Sequence, residues 1–213
     1  MAEPLEELSL ADWRRRLAEL YAEVRALARL DPQSAWAHWR ATREWLYREH
    51  PQSPVPEPDR GAFRLQTWPY ADALRFEVPV EPRPAADLSV EQPPHLPVSA
   101  GDEVASSLLG VIRLPFASGE RSLSVYWFTG YAGGLFLPFR DMTNGRETYG
   151  AGRYVLDGAK SADLGGDPER GTLVVDFNFA YQPSCAFDPR WACPLAPPEN
   201  RLDVSIEAGE RLA

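Results

Sequence analysis

The sequence predicts a mainly β protein, an antiparallel sandwich or partly open barrel, preceded by an N-terminal helical hairpin. Short runs of alternating apolar and polar residues, separated by Gly, Pro, Asn and Asp clusters, occupy the chain from residue 62 onward. The 21 prolines and 15 glycines among 213 residues supply the turns that such a fold requires. A helical period appears only before residue 50. These observations divide the chain into a helical hairpin at 1–50 that packs on the body, a linker at 51–61 and a β domain at 62–213.

Ser9 is placed to cap the first helix, with Asp12 at the third position favouring the positive end of the dipole. Trp13, Leu17, Leu20, Tyr21, Val24 and Leu27 then form one apolar stripe. Asp31-Pro32 stops this helix and starts the second, because proline cannot continue the first ladder yet suits an initial helical position. Trp36, Trp39, Arg43, Leu46 and Tyr47 carry that helix to about His50. The proline-rich stretch PQSPVPEPDRG (51–61) can be neither helix nor central strand.

Eight strands are expected, at 63–68, 73–78, 107–114, 122–128, 135–140, 146–156, 172–180 and 202–208. The long segment 157–171 has a length typical of lids as well as of disordered loops. A proline-rich loop at 181–201 has the aromatic and thiol content of one that packs onto the body.

Charge and composition exclude several function classes. A net charge of −9 with no basic run interleaved with aromatics argues against nucleic acid. No apolar run approaches the roughly 20 residues of a membrane helix, and the acidic start MAEPLEELSLADW lacks a secretory signal. A cytoplasmic protein is expected, with its two cysteines, Cys185 and Cys193, reduced and buried. Their C-x7-C spacing does not suit the usual zinc sites, and only His38, His50 and His95 exist to complete one, so neither metal nor cofactor is expected. The oligomeric state is not written in these residues.

The densest polar stretch is FRDMTNGRETYGAGRY, Phe139 to Tyr154. If Asn144-Gly145 forms a two-residue hairpin turn, Arg140 pairs with Tyr149 and Phe136 with Arg153. Strand parity then sets Arg140, Glu147, Tyr149 and Arg153 on one face, with Leu135, Leu137, Phe139, Tyr154 and Leu156 on the core face. Gly150 and Gly152 lie on the core face too, leaving room for close backbone approach. Asp176 and Asn178 share one face of a later strand and are natural partners for those arginines.

Guanidiniums beside a carboxylate and a phenol suit bidentate capture of an anion. The leading expectation is a protein that binds a small anionic molecule at Arg140, Glu147, Tyr149, Arg153, Asp176 and Asn178, with loop 181–201 closing one side. The alternatives are an enzyme using Asp176 or Glu147 as general base, and a structural or partner-binding protein whose polar face is a satisfied network.

The blocks LFLPFRDMTNGRETYGAGRYVLD, VVDFNFAYQPSCAFDPRWACPLAPPENRL and IEAGE resemble the signature of a bacterial family, domain of unknown function 1684, over about Leu135 to Glu210. The resemblance implies no activity. Its motif positions include all six candidate residues, together with Tyr181, Cys185, Cys193 and Asn200. Where members of that family read Asn-Pro before the first cysteine, this chain has Gln182-Pro183, which keeps the amide on a longer side chain.

Overall fold

A computed structural model describes residues 5–82, 95–130 and 133–212; the first residues of the 1–50 segment, the stretch 83–94 and the side chain of His95 lie outside the described residues. Helix α1 runs Glu6–Ala28 and begins ahead of the expected cap: Leu5 precedes it with no side-chain cap, and Glu6 and Glu7 occupy its first turn. Two carboxylates at a helix N-terminus favour that start electrostatically. Ser9 therefore sits inside the helix with its hydroxyl unbonded. Helix α2, Pro32–Glu49, follows the expected cap, with Asp31 accepting from the Ser34 amide at 3.1 Å and proline at its start. The 51–61 stretch, expected to hold no helix, contains one helical turn, α3 at Glu57–Arg60, whose proline lies in the first turn, where no intrahelical N–H bond is lost.

The strands are β1 (Arg75–Pro82), β2 (His95–Pro97), β3 (Glu103–Phe116), β4 (Gly119–Phe128), β5 (Gly134–Phe139), β6 (Arg153–Asp157), β7 (Gly166–Asp167) and β8 (Thr172–Asp176). All pairings between them are antiparallel, in the order β6-β5-β4-β3-β1-β8-β7, with β2 added to β3. The sheet forms an open half-barrel, and the helical pair stands against it.

Two expected strands are absent. Segments 63–68 and 202–208 meet the rest of the chain through an isolated bridge, Thr67 to Glu210, and through side-chain anchors such as Asp141, which accepts from the Ile206 amide at 2.7 Å. Two more are cut short, 146–156 to Arg153–Asp157 and 172–180 to Thr172–Asp176. At Asp176 the chain leaves β8 and turns through Phe177–Phe179, because the Asp176 side chain accepts from the Asn178 amide and offers the backbone a local alternative to the ladder.

One hydrophobic core joins helices and sheet. Leu17, Leu20, Tyr21 and Val24 of α1 and Trp39, Leu46 and Tyr47 of α2 belong to the same buried cluster as Ile112, Val125, Phe136, Leu156 and Val175. Trp39 meets Phe179 edge to face at 5.4 Å between ring centres. Such aromatic contacts add to the burial energy that holds the hairpin down. Leu27, expected in the stripe, remains 38% exposed. No helix among the described residues is long and apolar enough to cross a membrane.

Candidate functional site

Residues 140–152 do not form the two arms of a tight hairpin. Gly145 has the positive φ of a turn glycine, 79°, but the turn closes on itself. The Thr143 carbonyl accepts from the amides of Arg146, Glu147 and Thr148, and the Asn144 side-chain amide donates to Thr148 Oγ1 and the Tyr149 carbonyl, each at 2.9 Å. Side chains that satisfy the backbone locally displace the ladder. β5 consequently pairs with β6 as Phe139 with Arg153 and Phe136 with Asp157, and the expected register of Phe136 with Arg153 is overturned. The close approach expected at Gly152 does occur: a Cβ there would collide with the Phe139 carbonyl, and its φ is 104°.

The six candidate residues separate into distinct surroundings. Arg153 is wholly buried. It donates to the carbonyls of Ile206 (2.8 Å), Ala208 and Glu210 (3.1 Å), and to Asp141 Oδ2 at 3.3 Å, while its guanidinium lies over the rings of Phe139 and Trp68. Burial pulls its pKa down to about 10, against the opposing pull of Asp141 and Glu210, so it stays charged at neutral pH. Arg153 is thus a clamp on segment 206–210 and not a group free to receive a ligand.

Asp176 and Asn178 form a second structural unit. Asn178 exchanges two hydrogen bonds with the backbone of Ala71, at 2.8 and 2.9 Å, and donates to Asp176 Oδ1 at 2.8 Å. Asp176 Oδ2 faces the Tyr70 hydroxyl at 3.4 Å and Arg75 at 3.7 Å. Neither Arg140 nor Arg153 is among its partners. Burial raises the Asp176 pKa to about 6 despite the hydrogen bonds from Asn178. Of the six, only Asp176 borders the larger cleft, about 650 Å³ between α1 and the 163–168 segment, where Arg25, Arg29 and Arg75 are interspersed with Glu77, Asp163 and Asp167.

Arg140 and Glu147 remain on the 140–152 loop. Arg140 is half-buried and donates to the Ala151 carbonyl at 3.4 Å, whereas Glu147 is exposed. Tyr149 points elsewhere: its amide donates to Gln182 Oε1 at 2.9 Å and its hydroxyl lies beside the Cys185 thiol. The longer Gln182 side chain thus braces its own loop against the 140–152 loop, while its backbone N–H donates to Glu210 Oε2 at 2.9 Å.

The second cavity, about 250 Å³, opens where the helical hairpin meets loop 181–201. Its walls are Trp13, Tyr21 and Tyr47 from the helices and Tyr181, Trp191 and Cys193 from the loop, with Arg14, Arg43 and Lys160 as its cationic residues. No Asp or Glu among the described residues lines it. Arg43 is buried on α2, held by Glu210 Oε1 at 2.8 Å and by the Tyr47 hydroxyl, and stacked over Trp39, Tyr47 and Tyr181. Lys160 Nζ stands 3.5 Å from Ser184 Oγ and 3.9 Å from Asp157 Oδ2. The indole N–H of Trp191 is buried without an acceptor. Burial pushes the Tyr21 hydroxyl up to about 12 and Tyr181 well above its usual value, so both remain donors at neutral pH.

Sequence reasoning did not select this cavity. Its one visible signal was Arg43, a charge set inside an apolar helical stripe. The 157–171 segment contributes Ala159, Lys160 and Ala162 to the wall and is packed in place, with the Asp163 carbonyl accepting from Arg25 at 2.7 Å.

A half-barrel with a helical pair docked across it, and a cation-lined aromatic cavity at their junction, define a mainly β protein with an internal recess. The chain belongs to the family described as "Protein of unknown function (DUF1684)", whose profile matches residues 62–211. Among solved structures it is similar to the solution NMR structure of an uncharacterized protein of Haloarcula marismortui, at 30% identity and a TM-score of 0.57, covering 81% of this chain and 90% of that one. No curated protein matches it.

Proposed function

We propose that the protein binds a small anionic molecule with an apolar or aromatic body, in the cavity between the helical hairpin and loop 181–201. The observation that carries this reading is the lining: Arg14, Arg43 and Lys160 with five aromatic side chains and no carboxylate among the described residues. Arg43 is neutralised by Glu210 at 2.8 Å, which leaves Arg14, and Lys160 by exchange of its longer 3.9 Å contact with Asp157, to meet an incoming charge. The unpaired Trp191 N–H offers a neutral donor beside them. A volume of about 250 Å³ suits a compact carboxylate, phosphate or sulfonate whose body stacks on the rings. The anion class expected from the sequence is retained, and the site moves from the 140–153 face to this junction. The acid–base enzyme alternative has less support, because Arg140 and Arg153, which would stabilise charge beside Asp176 or Glu147, are bonded to other groups.

Thermal melting and tryptophan fluorescence with matched pairs of aromatic carboxylates and their neutral amides test the reading. The acids are expected to raise the melting temperature and perturb Trp13 and Trp191, and Lys160→Met is expected to remove the effect. Equal response to acid and amide, or no response across carboxylates, phosphates and sulfonates, would refute it.

A further inference from the structure

We propose that Cys185 and Cys193 form a reversible dithiol–disulfide couple that reduces hydroperoxides, with Cys185 as the attacking sulfur and Cys193 as the resolving one. Both thiols are free, and the Cys185 amide donates to Cys193 Sγ at 3.3 Å, which brings the two cysteines of one loop side by side. That proximity supplies the starting geometry from which a disulfide closes.

The surroundings of the pair are unequal, and this assigns the roles. Three groups able to donate to a sulfur lie beside Cys185: the Cys193 thiol, the Tyr149 hydroxyl and the Ser99 hydroxyl, the last of which donates to the Trp191 carbonyl at 3.3 Å. A thiolate is stabilised by such donors, whereas an inert buried thiol in apolar surroundings has none. The hydrogen bond from Cys193, with those from Tyr149 and Ser99, outweighs burial and holds the Cys185 pKa below the ordinary thiol value; the same bond, with burial, pushes Cys193 up. Cys193 is anchored on both sides of its backbone by Ser99, its amide donating to Ser99 Oγ at 3.0 Å and its carbonyl accepting from the Ser99 amide at 2.9 Å. Cys185 sits on a single 3₁₀ turn, Ser184–Ala186, and is the more exposed of the two at 8%. That exposure favours a small oxidant over a bulky one.

The step balances with a hydroperoxide as oxidant and a low-molecular-weight thiol as reductant. The Cys185 thiolate attacks the terminal oxygen; the O–O bond breaks, an S–O bond forms, and the departing alkoxide or hydroxide takes a proton from solvent, leaving a sulfenic acid. The Cys193 sulfur then attacks the Cys185 sulfur, the S–O bond breaks, the Cys193 proton leaves with the hydroxyl as water, and the disulfide closes. Two equivalents of external thiol restore both protein thiols and leave as their own disulfide.

The test is stoichiometric oxidation of the reduced full-length protein by hydrogen peroxide, followed by thiol titration and intact mass. One equivalent is expected to consume both thiols with no oxygen retained, and to do so about tenfold faster in the native protein than in the same chain in denaturant. Slower reaction in the native state would mark both thiols as inert core residues and end the proposal. Cys193→Ser, and Cys193→Ala should the serine variant misfold, are expected to stop at a dimedone-reactive sulfenic acid on Cys185. Absence of that adduct, or unchanged oxidation of Cys193 in Cys185→Ser, would overturn the assignment. Tyr149→Phe is expected to slow the first step by about tenfold through loss of a charge-assisted hydrogen bond.

Discussion

Arg153 shows how far a single residue can depart from what its neighbours in sequence suggest. In an exposed strand it would be a free cation; here four acceptors occupy its two terminal nitrogens, three of them carbonyls of segment 206–210. Arg153→Met should therefore leave the Asp141 carboxylate without its cationic partner and strand those carbonyls, at a cost of about 3–5 kcal/mol. A fall in melting temperature of about 10 °C or more is the expected result, and a variant that melts with the wild type would show the clamp to be dispensable. The identity of this arginine as a special position was legible, as were Asp176 and Asn178. Their roles were not, because a sequence shows which polar residues interrupt apolar runs and does not show which distant carbonyls answer them.

At the level of elements, alternation worked where one face of a strand meets solvent and failed where both are covered. β3 and β4 alternate and were located closely, whereas β6 is buried at every residue, so parity held no information about inside and outside. The helices were legible from their period and from Asp31-Pro32. The expected strand at 202–208 was lost to anchors that no pattern announces. Asn200 is the plainest of these. Pro138 in β5 has no N–H to continue the ladder toward β4, and the Asn200 side chain fills the gap: its Oδ1 accepts from the Ser124 amide at 2.8 Å, and its Nδ2 donates to the carbonyls of Ser124 (2.9 Å) and Pro138 (2.7 Å). Asn200→Asp would replace the two donated bonds with a buried charge facing two carbonyls. We expect a loss on the order of 3 kcal/mol, read as a lowered denaturation midpoint, and an unchanged midpoint would show that β4 and β5 hold without this bridge.

For the whole molecule, the helical pair is part of the core although the family profile begins at residue 62. A chain starting at residue 62 would expose the sheet-side partners of Leu17, Leu20, Trp39 and Leu46 and leave Glu210 without Arg43. Such a chain is expected to lose cooperative melting by circular dichroism; a sharp transition near that of the full chain would instead show the β part to be self-sufficient. The Arg43–Glu210 pair also bears on the order of events during synthesis. The two residues are 167 positions apart, and Arg43 is buried only in the company of that carboxylate. Until Glu210 has emerged, seating α2 would strand a guanidinium among Trp39, Tyr47 and Tyr181 with no counter-charge. The helices leave the ribosome well before Glu210 and settle only after it, so the nascent chain carries an undocked, tryptophan-rich hairpin while the sheet is being made, a stage at which it is a natural client for chaperones.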